Sequence, residues 1–191
     1  MILHIKRVIE DSKIPLDEKV WLIVSTTKGN IDILEKESIF PESRSYLSEF
    51  GKTIHNFFGF KNEAIVVSNA CVSGVLAISV ANRFISEGKY DHIFIVSGDL
   101  VTKFVLSGFN SFQALSAEPC KPYDINRIGI NLGEVAASVL VTSSAENLPK
   151  EAVEILGDAT CNDANHISGP SRTGEGLFRS VKAAMKEANI N

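Results

Sequence analysis

The residue best suited to covalent chemistry in this sequence is Cys71, because of the residues on either side of it. A short apolar run, residues 64–67, leads through small residues into Cys71, and Ser73 and Gly74 follow at the start of an apolar helical stretch. This order is typical of a nucleophile elbow, a sharp turn between a strand and a helix that exposes a nucleophile. Unpaired N–H groups at the start of the helix favour negative charge, so the thiolate form of Cys71 is stabilised. The small Gly74 lets backbone and substrate approach closely.

The turn alone leaves the reaction open, since such elbows also carry the nucleophiles of hydrolases. A buried structural cysteine is the other interpretation of Cys71. A cysteine hydrolase would need its own histidine and acid, and no histidine follows a late strand in a suitable context. Cys120 and Cys161 have no elbow around them and are interpreted as structural. Acyl transfer and hydrolysis therefore both remain possible from the turn itself.

The elements that must position Cys71 alternate between strands and helices. Short apolar runs predict five strands, at residues 20–25, 64–67, 92–97, 135–142 and 153–159. Apolar residues at helical spacing predict helices over residues 2–9 (ended by Pro15), 31–36, 43–58, 72–85 and 174–188. Residues 99–132 carry most of the turn-forming residues and are predicted to be loop. This alternation predicts an α/β layered fold with a largely parallel sheet.

Composition argues against several classes of function. The chain has 191 residues, 45% of them hydrophobic, which is enough for a packed core. A net charge of −4 argues against a nucleic-acid or polybasic membrane surface. No apolar run approaches the roughly 20 residues that a membrane span requires. Three cysteines without a CxxC pair, and a start unlike a signal peptide, indicate a reducing cytoplasm.

Five segments carry a specific pattern in a fixed order. They are Ser68-Asn-Ala-Cys-Val-Ser-Gly, Gly108-Phe-Asn-Ser-Phe-Gln-Ala-Leu-Ser, Cys120-Lys-Pro-Tyr-Asp, Arg127-Ile-Gly-Ile-Asn-Leu-Gly-Glu and Asp163-Ala-Asn-His-Ile-Ser-Gly-Pro. In turn they resemble the TACxSG, GFxxxxALS, (C/S)RPFD, RDGFxxGEG and DAYHxTxP motifs of the β-ketoacyl synthases, the condensing enzymes of fatty-acid and polyketide assembly. The resemblance covers residues 64–190 and thins over residues 1–63.

The resemblance implies a thiolase-like layered α/β fold with a mixed, mostly parallel sheet. Residues 1–150 would form the N-terminal ketoacyl synthase domain without its first strand, and residues 151–191 the start of the C-terminal domain. Cys71 would take an acyl group from an acyl carrier protein or coenzyme A as a thioester, for condensation with a decarboxylated malonyl thioester. The family's assembly is a homodimer in which the strand before the nucleophile, here residues 64–67, pairs with its copy.

Other site residues are carried over from the resemblance. Phe109 matches a position beside the acyl pocket, with packing in a Gly-flanked loop as the alternative. His166 matches a histidine at the entrance to the site, with a polar loop residue as the alternative. Glu134 matches a buried glutamate that organises the site and is associated with a structural monovalent cation, with a plain strand-start carboxylate as the alternative. Ser73 and Gly74 are structural residues near the nucleophile, and no other cofactor or metal is implied.

The sequence also departs from the family's pattern. The family's catalytic histidines lie in HGTxT and NSFGFGG segments with a lysine between them, and none of these occurs in the 191 residues. The family's opening strand is absent too, so the strands at residues 20–25 and 92–97 are expected to lack the strand that normally separates them. We expect that strand to lie outside this chain, rather than to be replaced by residues 153–159. A non-catalytic partner subunit, similar to a chain-length factor, is the alternative function, although such subunits usually replace the cysteine.

Overall fold

The structure is a computed structural model that describes residues 1–35, 38–162 and 171–190. The chain divides into two compact units, Met1–Thr142 and Ser143–Asn191. Within the described residues, no helix is both long enough and apolar enough to cross a membrane.

The first unit is built on a sheet flanked by helices. Its strands are β1 (Val20–Ser25), β2 (Ile65–Val67), β3 (His92–Asp99) and β4 (Val135–Thr142). Its helices are α1 (Ile2–Ser12), α2 (Leu47–Phe58), α3 (Ser73–Ser86) and α4 (Lys103–Ser111), and the short 3₁₀ helices Ile31–Leu34 and Glu42–Ser45 precede α2. The strands lie in the order β2-β1-β3-β4; β1 is parallel to β2 and β3, and β4 is antiparallel to β3. This mixed, mostly parallel sheet confirms the predicted fold class.

The two faces of the sheet carry separate cores, because side chains alternate along a strand. The face toward α1 and α2 holds Ile5, Val20, Leu22, Val24, Ile54, Phe60, Phe94 and Val96. The face toward α3 holds Trp21, Ile23, Val67, Ala77, Ala81, Tyr90, Ile93 and Ile95. Full burial of one large apolar side chain contributes about 1.5–3 kcal/mol. Burial on both faces therefore holds the central strands β1 and β3 in place, and these strands position the loops at their carboxyl ends.

Strands β1 and β3 are direct neighbours, so the expectation of a missing strand between them is wrong for this structure. Val20 lies opposite His92 and Ser25 lies opposite Ser97, in a continuous parallel register. Because the two strands pair directly, their backbone N–H and C=O groups bond to each other. A gap between the strands would leave these groups unpaired, at a high cost in free energy.

Helix α4 occupies part of the segment that the sequence predicted to be loop. Thr102 caps it, because Thr102 Oγ1 accepts a hydrogen bond from Val105 N at 3.3 Å. Gly108 favoured a loop in the sequence, yet it lies within the helix, where an added Cβ would meet nothing within 4 Å. Phe109 consequently lies on a helix and not in a Gly-flanked loop.

The second unit contains one predicted element and lacks another. Helix α5 (Glu175–Glu187) forms where the amphipathic pattern predicted it. Residues 153–159 were predicted to be a strand, but they form none. An added Cβ at Gly157 would lie 2.6 Å from Ala184 O, so this segment runs close against the α5 backbone. A strand needs a neighbouring strand for its backbone groups, and the described residues of this unit contain none.

Candidate active site

Cys71 lies in the turn between β2 and α3, and its side chain is exposed. Strand β2 ends at Val67, and α3 begins at Ser73. The residue before the cysteine, Ala70, has a φ of 45°, in the left-handed region that residues other than glycine rarely adopt. Such strain is found where a fold holds a functional group in a fixed position. This strand, sharp turn and helix are the arrangement that the sequence predicted around Cys71.

The hydroxyl group of Ser73 holds this turn closed. Ser73 Oγ accepts a hydrogen bond from Asn69 N and donates one to Ala70 O, both at 2.7 Å. Ser73 is only 5% exposed, so water competes weakly for these bonds. An added Cβ at Gly74 would lie 3.8 Å from Ser97 Oγ, an ordinary contact, so local packing does not require glycine there. Ser73, more than Gly74, fixes the backbone that carries Cys71.

The carboxyl ends of three parallel strands meet beside this turn. Thr26 N, just after β1, donates to Val67 O at 3.2 Å, and Ser68 Oγ donates to Thr27 O at 3.4 Å. The carboxylate of Asp99, the last residue of β3, accepts from Thr26 Oγ1 at 2.8 Å and from Thr27 N at 3.0 Å. Strand β3 extends two residues beyond the predicted range of 92–97, and this extension brings Asp99 into the sheet.

Three of the motif segments pack together in a second loop region, residues 114–131, which we call the motif loop. Ile130 N donates to Ala114 O and Ser116 N donates to Ile130 O, both at 2.9 Å. The side chain of Asn131 donates to Ser116 O at 3.2 Å and accepts from Cys120 N at 2.7 Å. Asn131 therefore joins segments that are separate in the sequence, and no local sequence signal singled it out.

Replacing Gly129 by alanine is expected to disrupt the motif loop. Gly129 has a φ of 150°, and an added Cβ would lie 2.8 Å from Ala114 O and 2.9 Å from Ser116 N. Backbone strain of this kind costs about 1–3 kcal/mol, so we expect the free energy of unfolding to fall by roughly 2–3 kcal/mol in urea titrations. Gly133→Ala is the matched control, because an added Cβ there meets nothing within 4 Å. Equal stability of the two variants would contradict the close contact at Gly129.

The other predicted site residues are placed by different contacts. Glu134 Oε1 accepts a hydrogen bond from Val101 N at 2.8 Å, which ties the residue before β4 to the loop after β3. Its side chain is exposed, whereas the resemblance implied a buried glutamate. Phe109 is half-buried on α4, and His166 lies outside the described residues. Substrate-binding roles for Phe109 and His166 stay predictions.

A structural cation beside Glu134 also stays a prediction. Hard metal cations are bound by several oxygen ligands, whereas the hydrogen bond described for Glu134 joins it to an N–H donor. Within residues 1–35, 38–162 and 171–190, no three His, Cys, Asp or Glu side chains are arranged to hold a metal ion.

Cys71 is expected to be the most reactive of the three thiols. Cys71, Cys120 and Cys161 are all exposed, so accessibility does not distinguish them. Among the described residues, Cys71 alone of the three lies in a strained turn just before a helix, with the N-cap Val72 between it and α3, and such a turn presents the side chain to a reagent in a fixed position. Limited alkylation with iodoacetamide at neutral pH, followed by peptide mass spectrometry, measures the order of reactivity. Equal or preferential labelling of Cys120 or Cys161 would contradict a nucleophile elbow at Cys71.

Comparisons with known sequences place most of the first unit in one family. Residues 9–147 match the family model of the β-ketoacyl synthase N-terminal domain. The 3-oxoacyl-[acyl-carrier-protein] synthase 2 of Staphylococcus aureus is 32% identical over 131 residues, which cover 63% of this chain and 32% of that protein. The enzyme of the same name from Rhizobium meliloti is 32% identical over 137 residues, which cover 65% of this chain and 32% of that protein. The chain spans about a third of the length of these curated relatives.

Solved structures show the same fold. A chain in the structure of a ketosynthase from Xenorhabdus doucetiae in complex with its chain length factor matches with a TM-score of 0.81 at 22% identity. The match covers 100% of this chain and 50% of that one. A β-ketoacyl synthase from Burkholderia phymatum matches with a TM-score of 0.79 at 21% identity, over 99% of this chain and 52% of the other. The predicted thiolase-like layered fold is confirmed.

Proposed function

The chain belongs to the β-ketoacyl synthase family, and from this premise we propose that it accepts an acyl group on Cys71 as a thioester. The observation that carries the proposal is the position of Cys71. It lies exposed in a strained turn between β2 and α3, within the segment that resembles the family's nucleophile motif. A coenzyme or protein that carries the acyl group as a thioester can deliver it, because thioester exchange conserves the reactive bond.

The acyl transfer uses groups that the turn supplies. The thiolate of Cys71 attacks the carbonyl carbon of the incoming thioester, and the carbonyl electron pair moves onto oxygen. Backbone N–H groups at such a nucleophile can donate to the resulting oxyanion, a contribution typical of acyl-transfer sites. Collapse of the tetrahedral intermediate breaks the bond to the donor sulfur, which leaves as a thiolate and takes up a proton. The products are acyl-Cys71 and the free donor thiol.

We propose an acyl carrier protein as the physiological donor, and fatty-acid or polyketide biosynthesis as the setting. The similarity to the 3-oxoacyl-[acyl-carrier-protein] synthases of Staphylococcus aureus and Rhizobium meliloti supports this proposal. In a full condensation, the acyl group on Cys71 is attacked by the carbanion that forms as a malonyl thioester loses CO₂. The β-ketoacyl product then leaves on the malonyl donor, and the Cys71 thiolate is restored.

The test is acyl loading of the purified protein with an acyl-coenzyme A and with an acyl-carrier-protein thioester. We expect one acyl group per chain in the intact mass, mapped to the peptide that contains Cys71 and removed by neutral hydroxylamine. No adduct with either donor, or an adduct on Cys120 or Cys161, would contradict the proposal.

A homodimer in the cytoplasm is the proposed state of the protein. Strand β2 lies at the edge of the sheet and has β1 on one side only, among the described residues. Open edge strands are templates for pairing with another chain, and a two-fold axis makes such a contact self-complementary. A reducing compartment would keep the exposed thiol of Cys71 free to react.

A non-catalytic subunit similar to a chain-length factor is the alternative. Two of the structural matches come from assemblies of a ketosynthase with a chain length factor, which supports keeping this alternative. The presence of Cys71 in its exposed turn favours the catalytic role. The loading experiment separates the two, because a non-catalytic subunit takes no acyl group.

A further inference from the structure

We propose that Asp99 is a positioning residue for Cys71, and that it acts through residues 26–28, which its carboxylate holds beside the end of β2. This inference rests on the proposed role of Cys71 as the nucleophile. It assigns a function to a side chain at the end of β3, outside all five motif segments.

The carboxylate of Asp99 accepts several hydrogen bonds from the turn that follows β1. Its Oδ1 accepts from Thr26 Oγ1 at 2.8 Å, from Thr27 N at 3.0 Å and from Lys28 N at 3.2 Å, and its Oδ2 accepts from Thr27 N at 3.0 Å. Thr26 Oγ1 in turn accepts from Gly29 N at 2.9 Å, and Thr26 is 1% exposed. Hydrogen bonds to an ionised group are roughly twice as strong as neutral ones. Asp99 therefore fixes the path of the chain from Thr26 to Gly29.

The same turn contacts the segment that leads into the nucleophile. Thr26 N donates to Val67 O at 3.2 Å, and Ser68 Oγ donates to Thr27 O at 3.4 Å. Val67 and Ser68 directly precede Asn69 and Ala70, the two residues whose backbone groups bond to the Ser73 hydroxyl next to Cys71. A continuous set of hydrogen bonds thus runs from the end of β3, through the end of β1, to the nucleophile turn.

A second aspartate provides a comparison at the opposite end of β1. Asp17 Oδ1 accepts from Lys19 N at 2.9 Å in the turn that precedes the strand. Asp17 and Asp99 therefore both close turns next to β1 through backbone N–H groups, but only Asp99 lies at the end where Cys71 is found. A purely structural role predicts effects on stability from either residue, whereas positioning predicts an effect on the thiol from Asp99 alone.

The experiment compares Asp99→Asn with Asp17→Asn in the whole protein. The measured quantity is the ratio of the iodoacetamide alkylation rates of Cys71 and Cys120, followed across the pH range in which a free thiol titrates. Cys120 is an internal reference because it is exposed and lies in the motif loop. We expect Asp99→Asn to lower the ratio by up to about tenfold, because the turn that presents the Cys71 side chain to reagents is then no longer held in place. Asp17→Asn should leave the ratio unchanged.

A second pair of variants keeps the test decisive if Asp99→Asn folds poorly. Thr26→Val removes the hydroxyl that donates to Asp99 and keeps the shape of the side chain, whereas Thr26→Ser keeps the hydroxyl. We expect Thr26→Val to lower the ratio in the same direction and Thr26→Ser to restore it. Adding Asp99→Asn to Thr26→Val should then lower the ratio no further than Asp99→Asn alone.

Two results would overturn the proposal. One is an unchanged ratio in both Thr26→Val and Asp99→Asn, and the other is an equal fall in Asp17→Asn and Asp99→Asn. Failure of the proposed function has a different signature, since a wild-type protein that takes no acyl group on Cys71 contradicts that function directly. The alkylation ratio uses no acyl donor and tests the action of Asp99 in either case.

Discussion

Replacement of Cys71 by alanine is expected to abolish acyl loading of the protein. The thiolate forms the new bond to the acyl carbon, so no other group in the turn can replace it. Loss of the covalent nucleophile of a hydrolase lowers turnover on the order of 10⁶-fold, and we expect loading of Cys71→Ala to fall below detection. The rate of acyl incorporation, followed by intact mass with one acyl-coenzyme A donor, measures the effect.

Matched variants make this result specific to position 71. Cys120→Ala and Cys161→Ala remove thiols that are also exposed, and both should load at the wild-type rate. Cys71→Ser keeps a hydroxyl in the turn but should load far more slowly, because a hydroxyl needs an adjacent base to become a nucleophile. Acyl incorporation by Cys71→Ala at the wild-type level would show that the nucleophile lies elsewhere.

The sequence predicted those parts of the fold that depend on local patterns. Strand β1 was predicted at the bounds at which it forms, because all six of its residues are apolar or small and all six are buried. The turn at Cys71 followed from a short apolar strand, small residues and a helix start in direct succession. Each of these signals lies within about ten residues of chain, where local propensity and burial agree.

Local sequence patterns could not predict contacts between residues that are distant in the sequence. The bond between Thr26 and Asp99 joins residues 73 apart in the sequence, and it depends on the direct pairing of β1 with β3. With another strand predicted between β1 and β3, the side chains of Thr26 and Asp99 would not be expected to meet. The exposure of Glu134 was missed for a related reason. Its environment depends on where the loop after β3 passes, and residue types alone do not determine that path.

Element assignments failed where a short segment fits two structures. Residues 153–159 have the apolar content of a strand, but a strand forms only when another strand satisfies its backbone groups. Helix α4 is the reverse case, because Gly108 and the surrounding turn-forming residues predicted a loop where a helix forms. Thr102 caps the start of this helix. In both cases the tertiary partner or the cap, and not the average propensity, decided the outcome.

The 191-residue chain is expected to load an acyl group without condensing it with a malonyl thioester. The segments that carry the family's two catalytic histidines, HGTxT and NSFGFGG, do not occur in these residues. By resemblance, those histidines stabilise the enolate and the oxyanion that form during decarboxylation and attack. Removal of one such donor typically costs about 10²–10³ in rate, so loss of both is expected to cost about 10⁴–10⁶ if the two act independently.

The measurement follows the two half-reactions in one sample. The protein is first loaded with an acyl group on Cys71 and then mixed with a malonyl thioester, and CO₂ release, β-ketoacyl product and remaining acyl-Cys71 are followed over time. We expect acyl-Cys71 to persist while product stays at the background of a Cys71→Ala control. A full-length 3-oxoacyl-[acyl-carrier-protein] synthase in a parallel sample establishes that both thioesters are competent. Sustained product formation by this chain would mean that other side chains within it stabilise the developing charge, and His4, His55 and His92, which carry no catalytic motif, would then be the first to replace.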